Sequence, residues 1–272
     1  GAAIIAGGPY GCAESAFSGM VFGPAATMLN ASKAVSGCML NAMAVWGVPN
    51  PQGLADKARQ RAEDKAIDPI ADAVTDHVYL FSGTNDRTVV PGIVGSAVDY
   101  YRALGVPDGN IRFVSDLPAG HAFVTEAEGG ACSRSGEPYI VDCDYDQAKD
   151  LLTHILGPLA APPTAPAGRY VVFDQRPFAG ERSRSGMAAE GVVYIPDRCR
   201  SGGCRVHVAF HGCAQNRETV GDAFVERTGF ARLADTNRLV VLFPQAVVSS
   251  SNPQGCWDWW GYSGPDFLTR DA

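Results

Sequence analysis

Three short stretches of the chain hold side chains that can act on one another chemically: Gly83-Thr84-Asn85-Asp86, Pro118-Ala119-Gly120-His121 and His211-Gly212-Cys213. A carboxylate beside an imidazole orients the ring and stabilises its protonated form, and the ring can then shuttle the proton of a nucleophile. A glycine turn leaves backbone N–H groups free to hold the charge of a tetrahedral acyl intermediate. Each stretch also has an ordinary structural reading when taken singly. Asp86 can be a helix-capping or turn aspartate, His121 a surface-loop histidine, and Val206–Cys213 a core strand ending in a turn.

What favours the chemical reading is where these residues fall among the predicted elements. His77–Ser82 reads as a strand, Pro91–Leu104 as a helix with a stripe of Val94, Val98, Tyr101 and Leu104, and Ile111–Ser115 as a second strand. Pro91 marks the helix start and Gly105 its stop. Strand, helix, strand predicts a βαβ unit with parallel strands, whose C-terminal ends lie on the edge where open α/β sheets keep their sites. Asp86 and His121 each follow one of these ends, as the acid and base of a hydrolase triad do. Val206, Val208 and Phe210 alternate with His207, Ala209 and His211, the period of a strand with two distinct faces, running into the His-Gly turn.

Elsewhere, Ala3–Ala6 reads as a buried strand ending in the Gly7-Gly8-Pro9-Tyr10-Gly11 turn, and Cys12–Cys38 as a loop of small and apolar residues. Helices are expected over Leu54–Ile67, Asp144–Leu156 and Val220–Asn237. Strands are expected at Tyr170–Phe173, Gly191–Pro196 and Arg238–Pro244. A hairpin is expected at Cys199–Cys204, and Arg182–Gly186 reads as a polar loop. Leu159–Gly168 is a Pro/Ala-rich connector (159–168) inside a single domain, because strand signals resume directly after it. Near the end, Trp257, Trp259, Trp260 and Tyr262 crowd six residues beside Cys256, either as a core plug or as an apolar wall beside a reacting bond.

With 272 residues, 46% hydrophobic and 19% charged, the chain can bury a full globular core. A net charge of −7 without a basic run argues against a nucleic-acid partner, and no apolar stretch reaches the roughly 20 residues of a membrane span. No metal or other cofactor is implied. The eight cysteines fall in the local couples Cys12 and Cys38, Cys132 and Cys143, Cys199 and Cys204, with Cys213 and Cys256 left over. None shows Cys-x-x-Cys spacing, so four disulfides and an oxidising compartment are expected rather than zinc.

The triad lacks a nucleophile. No Gly-x-Ser-x-Gly elbow is present, and Ser18 and Ser36 each lack the glycine two positions back. The order of the parts is also unusual, since Asp86 and His121 precede the oxyanion turn. A circular permutation with the elbow just upstream of Gly1 accounts for both facts. Both ends of the chain read as cuts, and the chain by itself is expected to be inactive.

Taken together, Ile4-Ile5-Ala6-Gly7-Gly8-Pro9-Tyr10, Gly83–Asp86, Gly120-His121-Ala122-Phe123, Val206–Cys213 and Asn252–Trp260 resemble the secreted poly(3-hydroxybutyrate) depolymerases of the circularly permuted, single-domain α/β-hydrolase type. The resemblance runs over nearly the whole chain. It implies a three-layer α/β sandwich, with Asp86 as triad acid, His121 as general base and the Cys213 amide as oxyanion donor. It further implies aromatic subsites at Trp257, Trp259 and Tyr262, and disulfides Cys12–Cys38, Cys132–Cys143, Cys199–Cys204 and Cys213–Cys256. The catalytic serine of that family sits in a Gly-Leu-Ser-Ser-Gly-like elbow before the Gly-Gly-Pro-Tyr turn. The implied activity is hydrolysis of poly(3-hydroxybutyrate) or its oligomers through an acyl-enzyme, by a secreted monomer acting on a polyester chain. The alternatives are a feruloyl or acetyl-xylan type esterase and a catalytically dead polymer-binding protein.

Overall fold

The structure is a computed structural model that describes residues 1–16, 20–21, 23–40, 49–179 and 186–269. Its Cα positions cluster into two compact units, Gly1–His121 with Asp258–Ala272, and Ala122–Trp257. The Pro/Ala-rich stretch 159–168 lies inside the second unit and not at the division.

The first unit is built on a parallel sheet of β1 (Ala2–Ile5), β2 (Val78–Phe81) and β3 (Ile111–Val114), in that order. Between β1 and β2 come α1 (Pro24–Cys38), α2 (Pro51–Glu63) and the short α3 (Ile70–Val74), and α4 (Pro91–Leu104) connects β2 to β3. The predicted βαβ unit is therefore present, with parallel strands. Pro91 occupies the first turn of α4 and Gly105 closes it in the left-handed region at φ 102°.

All four residues of β2 are buried, as expected for the middle strand of a parallel sheet. Val78 and Leu80 pack on Ile93, Val94, Ala97 and Val98 of α4. Each of the Val, Leu and Ile side chains contributes about 1.5–3 kcal/mol by leaving water, and Ala97 less. The other flank of α4, Tyr100 and Leu104, meets Leu54, Ala55 and Ala58 of α2, which starts at Pro51 with the Asn50 side chain accepting from the Gly53 N–H.

Two expectations for this unit are corrected. The strand at Ala3–Ala6 is half-buried rather than buried, because among the described residues β1 is the outer strand of its sheet. The Cys12–Cys38 stretch is not simply a loop, since α1 occupies its second half.

The second unit holds two sheets. One is parallel, with β6 (Ile140–Asp142) between β4 (Phe123–Thr125) and β5 (Gly130–Ala131), and is followed by α5 (Gln147–Leu156). The other runs in the order β7 (Arg169–Asp174), β8 (Glu190–Ile195), β10 (Leu239–Phe243), β9 (Arg205–Val208). Only β9 and β10 are parallel in it. The Cys199–Cys204 segment is not a hairpin, because β10 lies between β8 and β9. The helix expected over Val220–Asn237 is three short ones: α6 (Arg217–Val220), α7 (Ala223–Arg227) and α8 (Phe230–Asn237). Gly221 and Gly229, at φ 60° and 84°, break it. The alternation of Val206–His211 is real, but His207, Ala209 and His211 face inward. Val206, Val208 and Phe210 are 62%, 40% and 60% exposed.

Most of the Arg182–Gly186 loop and Ser18 lie outside the described residues. No helix among the described residues is long and apolar enough to cross a membrane.

Candidate active site

Asp86 sits five residues beyond β2, in a turn closed by its own N–H donating to the Gly83 carbonyl. Its side chain is fully buried, and both oxygens are used. Oδ1 accepts the backbone N–H groups of Thr88 (2.8 Å) and Val89 (2.9 Å), and Oδ2 lies 2.8 Å from His121 Nδ1. With Oδ1 taken by two amides, Oδ2 is left to orient the imidazole. The His121 side chain keeps 26% exposure. The Asp86 carboxylate and the His121 imidazole are thus in direct contact.

The backbone holds the pair in place. Thr84 and Asn85 donate N–H bonds to the Leu117 and Ala119 carbonyls, and the Asn85 amide donates to the Pro118 carbonyl at 2.8 Å. The turns after β2 and β3 are therefore stitched together along their length, and two adjacent parallel strands deliver them to the same edge.

The second unit presents the His211-Gly212-Cys213 turn. The Gly212 N–H donates to Gln215 Oε1 at 2.8 Å, and the Gln215 amide in turn donates to the Pro138 and Tyr139 carbonyls. A Cβ at Gly212 would lie 2.8 Å from that same Gln215 oxygen, so a side chain here would displace the Gln215 amide. Among the described residues no acceptor is found for the Cys213 N–H, and Cys213 is exposed. Such an amide is a donor available to an incoming oxyanion. Cys213 is bonded to Cys256. Asn252 fixes the far side of the bridge, accepting the Cys256 N–H at 2.9 Å and donating to its carbonyl at 2.7 Å. Trp257 is tied to the turn by its indole N–H, which donates to the His211 carbonyl at 3.1 Å. The structure contains all four disulfides: Cys12–Cys38, Cys132–Cys143, Cys199–Cys204 and Cys213–Cys256.

Trp259 and Tyr262 belong to the first unit, in a loop that Asp258 organises. Its Oδ1 accepts the Gly261 and Tyr262 N–H groups at 2.7 and 3.0 Å, and its Oδ2 accepts the Ser263 N–H and hydroxyl at 2.8 and 2.5 Å. Trp260 stands between Trp259 and Tyr262, with ring centroids 5.6 and 5.0 Å away. Trp259 and Trp260 also pack on Cys12, Ala13, Ala34 and Cys38, so the aromatic run is partly a plug.

Sequence reasoning did not single out Asp258, Gln215 or Asn252. The Asn252-Pro253-Gln254-Gly255 turn signal and an aspartate three residues before Gly261 were the available hints. Ser36 is buried in α1 with its hydroxyl donating to the Ser32 carbonyl at 2.6 Å, which leaves it no role as a nucleophile.

No family model matches the chain. Among curated proteins it is 38% identical over 277 residues to a poly(3-hydroxybutyrate) depolymerase of Delftia acidovorans, covering 100% of this chain and 51% of that protein. It therefore spans about half the length of that relative. It is 31% identical over 283 residues to a polyhydroxybutyrate depolymerase of Talaromyces funiculosus, covering 97% and 75% of the two chains. Among solved structures, a serine-to-alanine variant of a PHB depolymerase complexed with an R3HB trimer matches with a TM-score of 0.83 and 30% identity, over 98% of this chain and 81% of that one. The crystal structure of a PHB depolymerase from Penicillium funiculosum matches at 0.82, with the same identity and coverage.

Proposed function

The chain belongs to the poly(3-hydroxybutyrate) depolymerase family and has an α/β-hydrolase-like fold, and from that premise we propose that it is the triad-acid, base and oxyanion portion of a secreted serine esterase. Its substrate is poly(3-hydroxybutyrate) or its oligomers. His121 takes the proton of a serine hydroxyl as that oxygen attacks the ester carbonyl, and returns it to the departing alkoxide. Asp86 holds the ring in the Nδ1–H tautomer and balances the imidazolium. The Cys213 N–H donates to the carbonyl oxygen as it gains charge. Water then releases the acyl group from serine by the same steps.

The serine is proposed to precede Gly1 in the complete protein, which gives a permuted order of parts on one catalytic domain acting as a monomer. Trp257, Trp259 and Tyr262 are proposed to line the polymer groove. Four disulfides fit an oxidising, extracellular setting.

The buried Asp86 carboxylate against Nδ1 of His121 carries this reading: a turn aspartate in a merely structural role has no need to present its second oxygen to a partly exposed imidazole. The test uses the complete protein on poly(3-hydroxybutyrate) film. Clearing of the film, blocked by a serine-directed organophosphonate, supports the proposal. Hydrolysis confined to aryl or acetyl sugar esters identifies a carbohydrate esterase instead, and film binding without turnover identifies a binding protein.

A further inference from the structure

The His211 imidazole is absorbed by none of the roles above, although it sits in the turn that offers the oxyanion donor. It is 2% exposed and wedged against Trp257 and Phe224, with ring centroids 5.4 and 6.4 Å away. Both nitrogens are engaged. The Ala246 N–H donates to Nε2 at 3.0 Å, so Nε2 is the unprotonated nitrogen. Nδ1 then carries the proton and donates it to the Gly212 carbonyl at 2.7 Å. Burial lowers the pKa of this histidine, in keeping with a neutral ring.

The acceptor matters more than the bond itself. The Gly212 carbonyl and the Cys213 N–H are the two ends of one peptide plane, which is rigid and trans, so they point in opposite directions. The Gly212 carbonyl is held from two sides, by His211 and by the Gln215 N–H at 3.2 Å. We propose that His211 is a positioning residue for the oxyanion donor: through the shorter of these two bonds it directs the Cys213 N–H, and by polarising that peptide it strengthens the amide as a donor. The ring in turn is held by Ala246, just beyond β10, while β9 leads into the turn, so the donor is referenced to two neighbouring parallel strands. This inference rests on the esterase reading, and adds to it a side chain that acts through the backbone.

The test uses three variants of the complete protein. An asparagine at 211 can place an amide nitrogen near the site of Nδ1, and a glutamine can place one near the site of Nε2. Phenylalanine keeps the ring and neither bond. The wild-type protein is assayed first on a soluble hydroxybutyrate ester; if it shows no turnover, the esterase reading itself fails. With wild-type turnover in hand, His211→Phe and His211→Gln are expected to lose about 10²-fold in kcat, with KM changed less than about threefold. His211→Asn is expected to recover about tenfold of that loss. Affinity for a boronate that mimics the tetrahedral intermediate should fall in step with kcat.

A merely structural ring predicts unequal unfolding midpoints with equal kcat among folded variants, and that result overturns the proposal. Because a buried substitution can prevent folding, the second measurement is nitrogen-15 NMR of the unmutated protein at neutral pH. A neutral His211 protonated on Nδ1 supports the proposal, and an Nε2-protonated or doubly protonated ring overturns it.

Discussion

Gly83 passes so close to Ala119 that a Cβ on the glycine would lie 2.1 Å from the Ala119 carbonyl oxygen and 2.6 Å from its carbon. The contact joins the turn that carries Asp86 to the loop that carries His121. Both groups in contact are backbone, so neither can swing away. Gly83→Ala must therefore push the two turns apart, at a cost of about 3 kcal/mol or more. Urea unfolding of the variant should show that loss, and the hydrogen-bonded Nδ1–H resonance of His121 should vanish. An unchanged midpoint with the resonance retained would mean that the turns do not depend on this contact.

Asp86→Asn tests the carboxylate more finely. Oδ1 accepts two backbone N–H groups, so the amide oxygen of asparagine must take that place. Its NH2 then faces His121 Nδ1, which is forced to become the acceptor. The ring is left in the wrong tautomer to act as base, and kcat in the complete protein should fall about 10⁴-fold with the fold intact. A loss of less than about tenfold would move the acid role away from Asp86.

Acid should weaken the second unit through His207. Burial against Phe230, 4.9 Å away between ring centroids, lowers its pKa to about 4. In the unfolded chain a histidine titrates near the ordinary value of about 6.5. Between these values the unfolded state binds more protons, so stability rises with pH. The contribution is complete above about pH 6.5 and is lost as pH falls toward 4. It amounts to at most about 3 kcal/mol, and to less because the ring is partly exposed. Chemical denaturation from pH 7 to 4 should show a steeper fall for the wild type than for His207→Gln. Parallel curves would remove His207 as the source.

The disulfides should differ in what they stabilise. Cys213–Cys256 closes a separation of 43 residues and Cys199–Cys204 one of only 5. Loop-closure entropy assigns about 4 kcal/mol to the first and about 2 kcal/mol to the second. Paired alanine substitutions, compared by unfolding midpoint, should follow that order; the reverse order would show that chain entropy does not set their contributions.

The dyad was legible in the sequence because it lies on local signals. A four-residue apolar strand, Pro91, an apolar stripe and Gly105 define β2-α4-β3 with little ambiguity, and parallel pairing then carries Asp86 and His121 to one edge. Less was legible where packing overrides pattern. The alternation of Val206–His211 shows a strand with two faces but not which face turns inward; the inner one carries Ala209 and His211, both buried, and the partly exposed His207, with His207 against Phe230 and His211 against Trp257. Helix α1 was hidden by a sequence of small residues (Ala25, Ala26, Ala31, Ala34, Gly37) without a strong stripe. Asp258 was not assigned from sequence, because three of its four partners are backbone N–H groups, which leave no mark on residue identity, and the fourth is the Ser263 hydroxyl.

His121 is the side chain on which the proposed chemistry depends most directly. The complete protein and its His121→Ala variant should be compared on poly(3-hydroxybutyrate) film, with release of soluble hydroxybutyrate products followed over time and folding checked by thermal unfolding. Clearing by the unmutated protein and none by an equally folded variant is the predicted result. Undiminished clearing by the variant would contradict the proposed chemistry.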